Sequence, residues 1–173
     1  MDIIEEICNC QNCNLYKNQL PLTDKLHKSN VMWVGLSAKK VKNISEDYPL
    51  KENTNSSKII KTIEERNNEF KYYKANLVKC LPLNENGNIR YPNKIEMEIC
   101  IKNLLIEIEK VQPKIIFLLG NIVNDFVIKF LKNNNIILDA KIVKIEHPSY
   151  IYIYKKNNIE EYINKVSKII NNM

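Results

Sequence analysis

Short apolar runs alternate with amphipathic stretches along this chain, and most of the runs close on a turn residue. Residues 31–35, Val-Met-Trp-Val-Gly, are continuously apolar and stop at Gly35. That is the pattern of a strand buried on both faces that empties into a loop. A polar stretch follows over 39–55, and then Ile59, Ile60 and Ile63 recur on one face of a predicted helix. Residues 72–79 read as a second strand. Pro92 and Asn93 open a long helix through Val111, with Ile95, Ile99, Leu104, Leu105 and Ile108 as its apolar positions and Pro113 as its stop. Residues 114–120 form the clearest buried strand, and Gly120 passes directly into a helix over 121–131. A fourth strand, 141–146, runs into His147-Pro148-Ser149, and a last helix covers 159–170.

Strands alternating with helices predict a single α/β domain, a three-layer α/β/α arrangement around a central parallel sheet of about four strands. Ligands of such sheets bind in the crevice outside the carboxyl ends of the strands. Four segments converge there: Gly35-Leu36-Ser37, Asn76 with its neighbours, Gly120-Asn121, and His147-Pro148-Ser149.

Composition narrows the classes. A chain of 173 residues supports one full hydrophobic core and needs no disulfides to hold it. The whole of 1–173 reads as one domain, with an N-terminal segment, 1–30, that carries the first cysteines. Met1-Asp2-Ile3-Ile4-Glu5-Glu6 begins acidic, and neither an Arg-rich leader nor a long apolar run is present. The expectation is a cytoplasmic protein with no membrane partner and no obligate protein partner. The formal charge of +6 is carried mainly by lysine and gives a pI near 8.9. Such a surface admits a polyanionic partner without requiring one.

Four of the five cysteines are patterned: Cys10-Gln11-Asn12-Cys13, then Cys80 directly after a predicted strand, then Cys100 on a predicted helix. In a reducing compartment such thiols are ligands more often than disulfides, so the pattern predicts one metal or iron–sulfur centre stapling the N-terminus to the middle of the fold. Four thiolates hold either a tetrahedral zinc or a [4Fe-4S] cluster, and spacing alone does not separate them. Cys8 reads as a core-facing residue of the first helix or as an exchangeable ligand. Residues 84–88, Asn-Glu-Asn-Gly-Asn, carry a turn signal that suits a small hairpin between Cys80 and Cys100.

The order of these pieces resembles the uracil-DNA glycosylase superfamily, and within it the branch with a [4Fe-4S] cluster, called families 4 and 5. The resemblance rests on Cys-x-x-Cys, a strand ending in Gly35, Pro49-Leu50-x-x-x-Thr54-Asn55-Ser56-Ser57 before a helix, Ala75-Asn76-Leu77-Val78-Lys79-Cys80, Cys100, the 114–120 strand, and His147-Pro148-Ser149. It covers the chain from about Cys10 to the last helix. It implies a [4Fe-4S] cluster on Cys10, Cys13, Cys80 and Cys100, with an ordering rather than a chemical role. It also implies action on DNA containing a damaged base such as uracil, by base flipping and hydrolysis of the N-glycosidic bond.

Breaking that bond needs a donor aimed at the departing base, and His147, held by the following Pro, suits this role. Its other reading is a turn residue whose ring is merely hydrogen-bonded. Asn76 presents both a donor and an acceptor to the edge of a flipped pyrimidine, or it satisfies a loop at a strand end. His27, in a polar segment without a motif, reads as a surface residue. Gly35, Leu36, Ser37, Tyr48, Leu50, Asn55 and Ser149 complete the expected base and loop pocket. Family 4 relatives carry an acidic residue after this glycine to position water, where this chain has Leu36, and family 5 loops of the Gly-Leu-Ala-Pro kind are the nearer match. Pro49-Leu50 stand where a Pro and a stacking aromatic are expected, with Tyr48 as a substitute ring. Glu46, Asp47, Glu52 and Asn53 are the candidate replacement water-positioners.

DNA contacts are expected from Lys39 and Lys40, with Lys42 beside them, and from Tyr150, Tyr152, Lys155 and Lys156. The segment 150–156 either wedges into and stacks on bases while its lysines meet phosphate, or alternates like a strand with Ile151 and Ile153 in the core. Two readings from another class remain alongside the glycosylase: a nucleic-acid-binding module that keeps fold and cluster but not water activation, and a nucleotide-binding protein.

Overall fold

The computed structural model describes residues 3–173; Met1 and Asp2 of the acidic start lie outside the described residues. Ten elements follow in order: α1 (Ile3–Cys8), β1 (Val31–Ser37), α2 (Asn55–Arg66), β2 (Tyr72–Val78), α3 (Lys94–Val111), β3 (Ile115–Leu119), α4 (Asn121–Asn133), β4 (Lys141–Ile145), α5 (Pro148–Tyr154) and α6 (Ile159–Asn171). The strands form one parallel sheet in the order β2-β1-β3-β4. No described helix is long and apolar enough to cross a membrane.

Period-two alternation divides the core in two. Met32, Val34, Ile116 and Leu118 face one layer, where they meet Ile101, Leu104 and Ile108 of α3 and Val123 and Val127 of α4. Val31, Trp33, Ile115, Phe117 and Leu119 face the other, against Ile59, Ile60 and Ile63 of α2 and Val166 and Ile170 of α6. Trp33 and Phe117 stack at 4.8 Å between centroids, and the buried indole N–H donates to Glu64 at 2.9 Å. The central strands β1 and β3 are covered on both faces, which is why their runs read as continuously apolar. The order steps from β1 out to β2 and then back across to β3, so the direction of winding reverses beside β1. Such a switch opens a crevice at the carboxyl ends of the strands.

The helix ends follow from local chemistry. Thr54 and Ser57 make a capping box at α2, and Asn93 and Glu96 make one at α3. Gln112 closes α3 in the left-handed conformation just before Pro113. The 84–88 turn is a hairpin, with Leu83 and Ile89 bridged antiparallel across it.

Two expectations are corrected here. Ile95 is exposed rather than core, because two residues before Met97 it falls on the side of the helix opposite the stripe that Met97, Cys100, Ile101 and Leu104 bury. The stretch from Pro148 is a helix, so the strand-like alternation does not occur: Ile151 is buried while Ile153 is exposed. Pro in the first helical turn behind a capping His147 starts the helix, and this start signal outweighs the β-branched and aromatic composition.

Candidate active site

The carboxyl edge of the sheet opens into a cleft of about 1020 Å³. This is at the top of the roughly 300–1,000 Å³ range of small-ligand sites, room for a nucleotide rather than a base alone. Its floor is Gly35, Leu36 and Ser37 from β1, Asn76 from β2, and Leu119 and Gly120 from β3; Glu146, His147 and Ser149 close one side. A smaller cavity of about 200 Å³ adjoins it behind Leu50. Ser37, Leu50, Asn76 and His147 line both. The two residues expected to act on a base therefore line the same two cavities, although they are 71 positions apart in the sequence.

His147 caps α5 through its ring. Nδ1 accepts from the Ser149 backbone N–H at 3.1 Å and lies 2.6 Å from the Ser149 hydroxyl. A nitrogen that accepts a backbone N–H carries no proton of its own, so the neutral ring bears its proton on Nε2. The capping role and the donor role thus use opposite sides of one ring. Burial lowers the His147 pKa from its ordinary value, which keeps this tautomer neutral.

A pH dependence follows. The unfolded histidine titrates near 6.5 and the folded one lower, so on acidification the unfolded state takes up the proton first. The stability contributed by the neutral ring is complete above about pH 6.5 and is lost as pH falls from there toward the folded pKa. Melting temperature against pH should show this decline, and the decline should be shallower in His147→Asn.

Asn76 is buried, and among the described residues its carboxamide takes no protein hydrogen bond. Its amide lies across Gly35: a Cβ at that glycine would stand 2.5 Å from Asn76 Oδ1. Leu50 is held at φ 56, a left-handed conformation that is costly for a leucine. The loop 39–54 spends that strain to set an aliphatic side chain beside Gly35 at the boundary of the two cavities.

Other expected pocket residues lie elsewhere. Tyr48 lines neither cavity; its hydroxyl donates to Glu52 at 2.8 Å and its ring sits 5.6 Å from the Lys74 ammonium, which hold it against the outer side of the loop. Asn55 points to Tyr152, with Nδ2 donating to its hydroxyl at 2.9 Å, so both face the α2–α5 seam. Most of the candidate water-positioners in the loop are engaged elsewhere. Asp47 pairs with Lys51 at 3.5 Å, Glu52 with Lys61 at 3.6 Å, and Asn53 accepts from Lys39. Glu46 contributes its carbonyl to Lys51. Among the described residues the one carboxylate lining the cleft is Glu146, itself paired with Lys155 at 2.7 Å.

The mouth of the cleft has walls that the linear pattern concealed. Because α5 is helical, Tyr150, Ile153 and Tyr154 share a face and line the cleft, with the two tyrosines 5.2 Å apart. Tyr152 faces the core instead. Across from them stand Ile89, Arg90 and Tyr91 of the hairpin. Tyr91 is 73% exposed, and Arg90 is fixed by Glu96 at 2.6 Å. Lys155 and Lys156 lie over the rings of Tyr150 and Tyr152 at 5.4 and 5.6 Å. Lys39 borders the smaller cavity, and Lys40 is exposed. His27 is exposed, as expected, yet both ring nitrogens are engaged, by the carbonyls of Lys25 and Tyr72.

The cysteines gather on the other side of β2. Cys13 packs on the same cluster as buried Cys80 and Cys100. Burial and the neighbouring Cys100, Cys13 and Cys10 push the Cys80 thiol up to about 12. Cys8 lies 3.2 Å from the Thr23 hydroxyl. Among the described residues no group of three or more His, Cys, Asp or Glu forms a ready metal-ion site. Cys10 and Cys13 lie within electrostatic reach of both Cys80 and Cys100, and four thiols are a donor set that would suit a thiolate-held centre.

A family model described as the uracil DNA glycosylase superfamily matches residues 19–170. This chain belongs to that superfamily. The match starts after Cys10 and Cys13 and takes in the whole sheet and both arms of the cleft. Among solved structures, SMUG2 of Pedobacter heparinus is similar in fold, with a TM-score of 0.58 at 17% identity over 84% of this chain and 77% of that one. No curated protein sequence matches the chain.

Proposed function

We propose that this superfamily member is a monofunctional DNA glycosylase that hydrolyses the bond between deoxyribose and a damaged base such as uracil. The observation that carries the reading is that Asn76 and His147 line the same two cavities: an unpartnered carboxamide and a ring whose only free hydrogen-bonding atom is an N–H donor. The nucleotide leaves the stack and enters the cleft, where Asn76 pairs with the edge of the base. As the bond lengthens, negative charge gathers on the base and positive charge on the sugar. His147 Nε2–H then donates to the base carbonyl, an interaction stronger in the transition state than before it.

Water needs little activation against an oxocarbenium-like sugar, so an uncharged group that orients it suffices. Ser37, at the end of β1 and bordering both cavities, takes that role in this reading, with Leu36 excluding bulk solvent. Tyr91 on one side of the mouth and Tyr150 and Tyr154 on the other offer rings to flanking bases, while Lys40 and Lys156 meet phosphate. Cys10, Cys13, Cys80 and Cys100 would hold a [4Fe-4S] cluster, or zinc on the same donors, as a tether between the N-terminal segment and the end of β2. Iron and zinc content of anaerobically purified protein separates the two.

The second reading, a DNA-binding module without catalysis, is favoured by one observation: none of the loop carboxylates Glu46, Asp47 and Glu52 lines the cleft, and Asp47 and Glu52 are paired elsewhere. Release of free base from uracil-containing single- and double-stranded oligonucleotides decides between them. Release is the expected result. Tight, salt-sensitive binding without release on any damaged base would replace the enzyme with the module.

A further inference from the structure

Behind Asn76, on the side away from the cleft, lies an ion pair sealed from solvent. The Lys79 and Glu107 side chains are 1% and 0% exposed. The ammonium donates to a Glu107 carboxylate oxygen and, at 2.7 Å, to the backbone carbonyl of Asn76. The other Glu107 oxygen accepts from the Tyr73 hydroxyl at 3.0 Å. None of these three side chains lines the cleft, and the mechanism above does not use them.

Stability alone gives no reason for the pair. Desolvating two charges offsets most of their attraction, and a buried pair exchanged for apolar side chains of similar volume often leaves stability unchanged or higher. The contact an apolar exchange cannot reproduce is the bond to Asn76. That residue sits on β2, at the edge of the sheet, so its outer side has no further strand to fix it. Lys79 lies three residues on, just past the end of the strand, and reaches back to the carbonyl. Glu107, on α3, sets where the ammonium stands, and Tyr73 sets the carboxylate.

We propose that Lys79, oriented by Glu107 and Tyr73, is a positioning residue that holds the Asn76 backbone so that its carboxamide meets the base in one orientation. This rests on the reading of Asn76 as the base-recognising group. Its consequence is that base selectivity is set partly from α3, through a chain of three contacts that never enters the cleft.

Lys79→Met alone strands a buried carboxylate and can fail to fold, so the test replaces all three groups by apolar isosteres: Tyr73→Phe, Lys79→Met and Glu107→Leu together. The expected result is a melting temperature close to the parent's with a fall of about 100-fold in kcat for a uracil-containing oligonucleotide, the scale of a small misplacement at a reacting centre, and little change in KM. The second readout does not depend on activity. In protein labelled with ¹³C and ¹⁵N, the Asn76 carbonyl resonance should shift and its carboxamide signals should broaden, while core methyl resonances of α4 and α6 stay in place. A folded triple variant with unchanged Asn76 resonances overturns the inference, and so does one with the parent's kcat. If the parent itself releases no base, the glycosylase reading fails, and the Asn76 resonances still decide this one.

Discussion

His147→Asn should lower single-turnover release of base by about 10²–10³-fold, the usual cost of removing one donor from a developing negative charge. The melting temperature should move by less than about 2 °C near neutral pH, since Asn is as good a helix cap as any residue and cap exchanges of this kind amount to a few tenths of a kcal/mol. The substitution separates the two duties of the ring. Asn keeps an acceptor for the Ser149 N–H, which now goes to Nδ1 at 3.1 Å, and so keeps the start of α5. It has nothing at the position of Nε2. Ser149→Ala is the companion variant: it removes the hydroxyl that lies 2.6 Å from Nδ1 but keeps the backbone donor, so the tautomer survives and the loss should be smaller. Release by His147→Asn at the parent's rate would remove the ring from the chemistry.

The middle of the sheet was legible in the sequence because β1 and β3 are covered on both faces, so that burial shows as unbroken apolar runs ending at Gly35 and Gly120. The strand-end location of Asn76 and His147 followed from that topology. What escaped the linear pattern was whatever depends on which face of an element points where. Tyr150, Ile153 and Tyr154 act together only once α5 is known to be a helix, and the signal for that was Pro148 behind a capping residue rather than the composition of the segment. Tyr48 looked like a stacking ring beside Pro49, yet the loop turns at Leu50 with a positive φ, and that turn sends the leucine inward and leaves the tyrosine outside with Lys74 and Glu52. The hairpin wall of Ile89, Arg90 and Tyr91 was visible only as a turn signal. Lys79 was visible only as a letter of a motif, because its partner Glu107 is 28 residues away on a helix whose register no local pattern discloses.

These misses share a physical cause with the site's design. The groups that touch a base are few and come from strand ends, where topology places them. Their orientation is delegated to side chains behind them, and burial in a second layer leaves no periodic trace. Gly35 belongs to the first class by position and to the second by role, since what it contributes is space.

Gly35→Ala is the sharpest test of that space. Gly35 and Asn76 are register partners on neighbouring strands, so neither backbone can retreat without disturbing the ladder between β1 and β2. The new Cβ would lie 2.5 Å from Asn76 Oδ1 and 3.5 Å from Leu50 Cδ2. Lys79 holds the Asn76 carbonyl from behind, so the least costly response is rotation of the carboxamide away from its rotamer, at roughly 0.5–1.5 kcal/mol. The sheet therefore persists while the amide turns out of the plane in which it meets a base. The expected result is a loss of about 100-fold in release, the scale of an ångström-sized misplacement, with discrimination among damaged bases blurred and only a modest drop in melting temperature. Gly87→Ala provides the contrast. That glycine sits at φ +75 with nothing within 4 Å of a Cβ, so the variant should lose about 1 kcal/mol of stability through backbone strain and keep its release rate. If Gly35→Ala instead matches Gly87→Ala in both readouts, the carboxamide of Asn76 does not read the base from this orientation, because one methyl group at Gly35 cannot be accommodated without moving it.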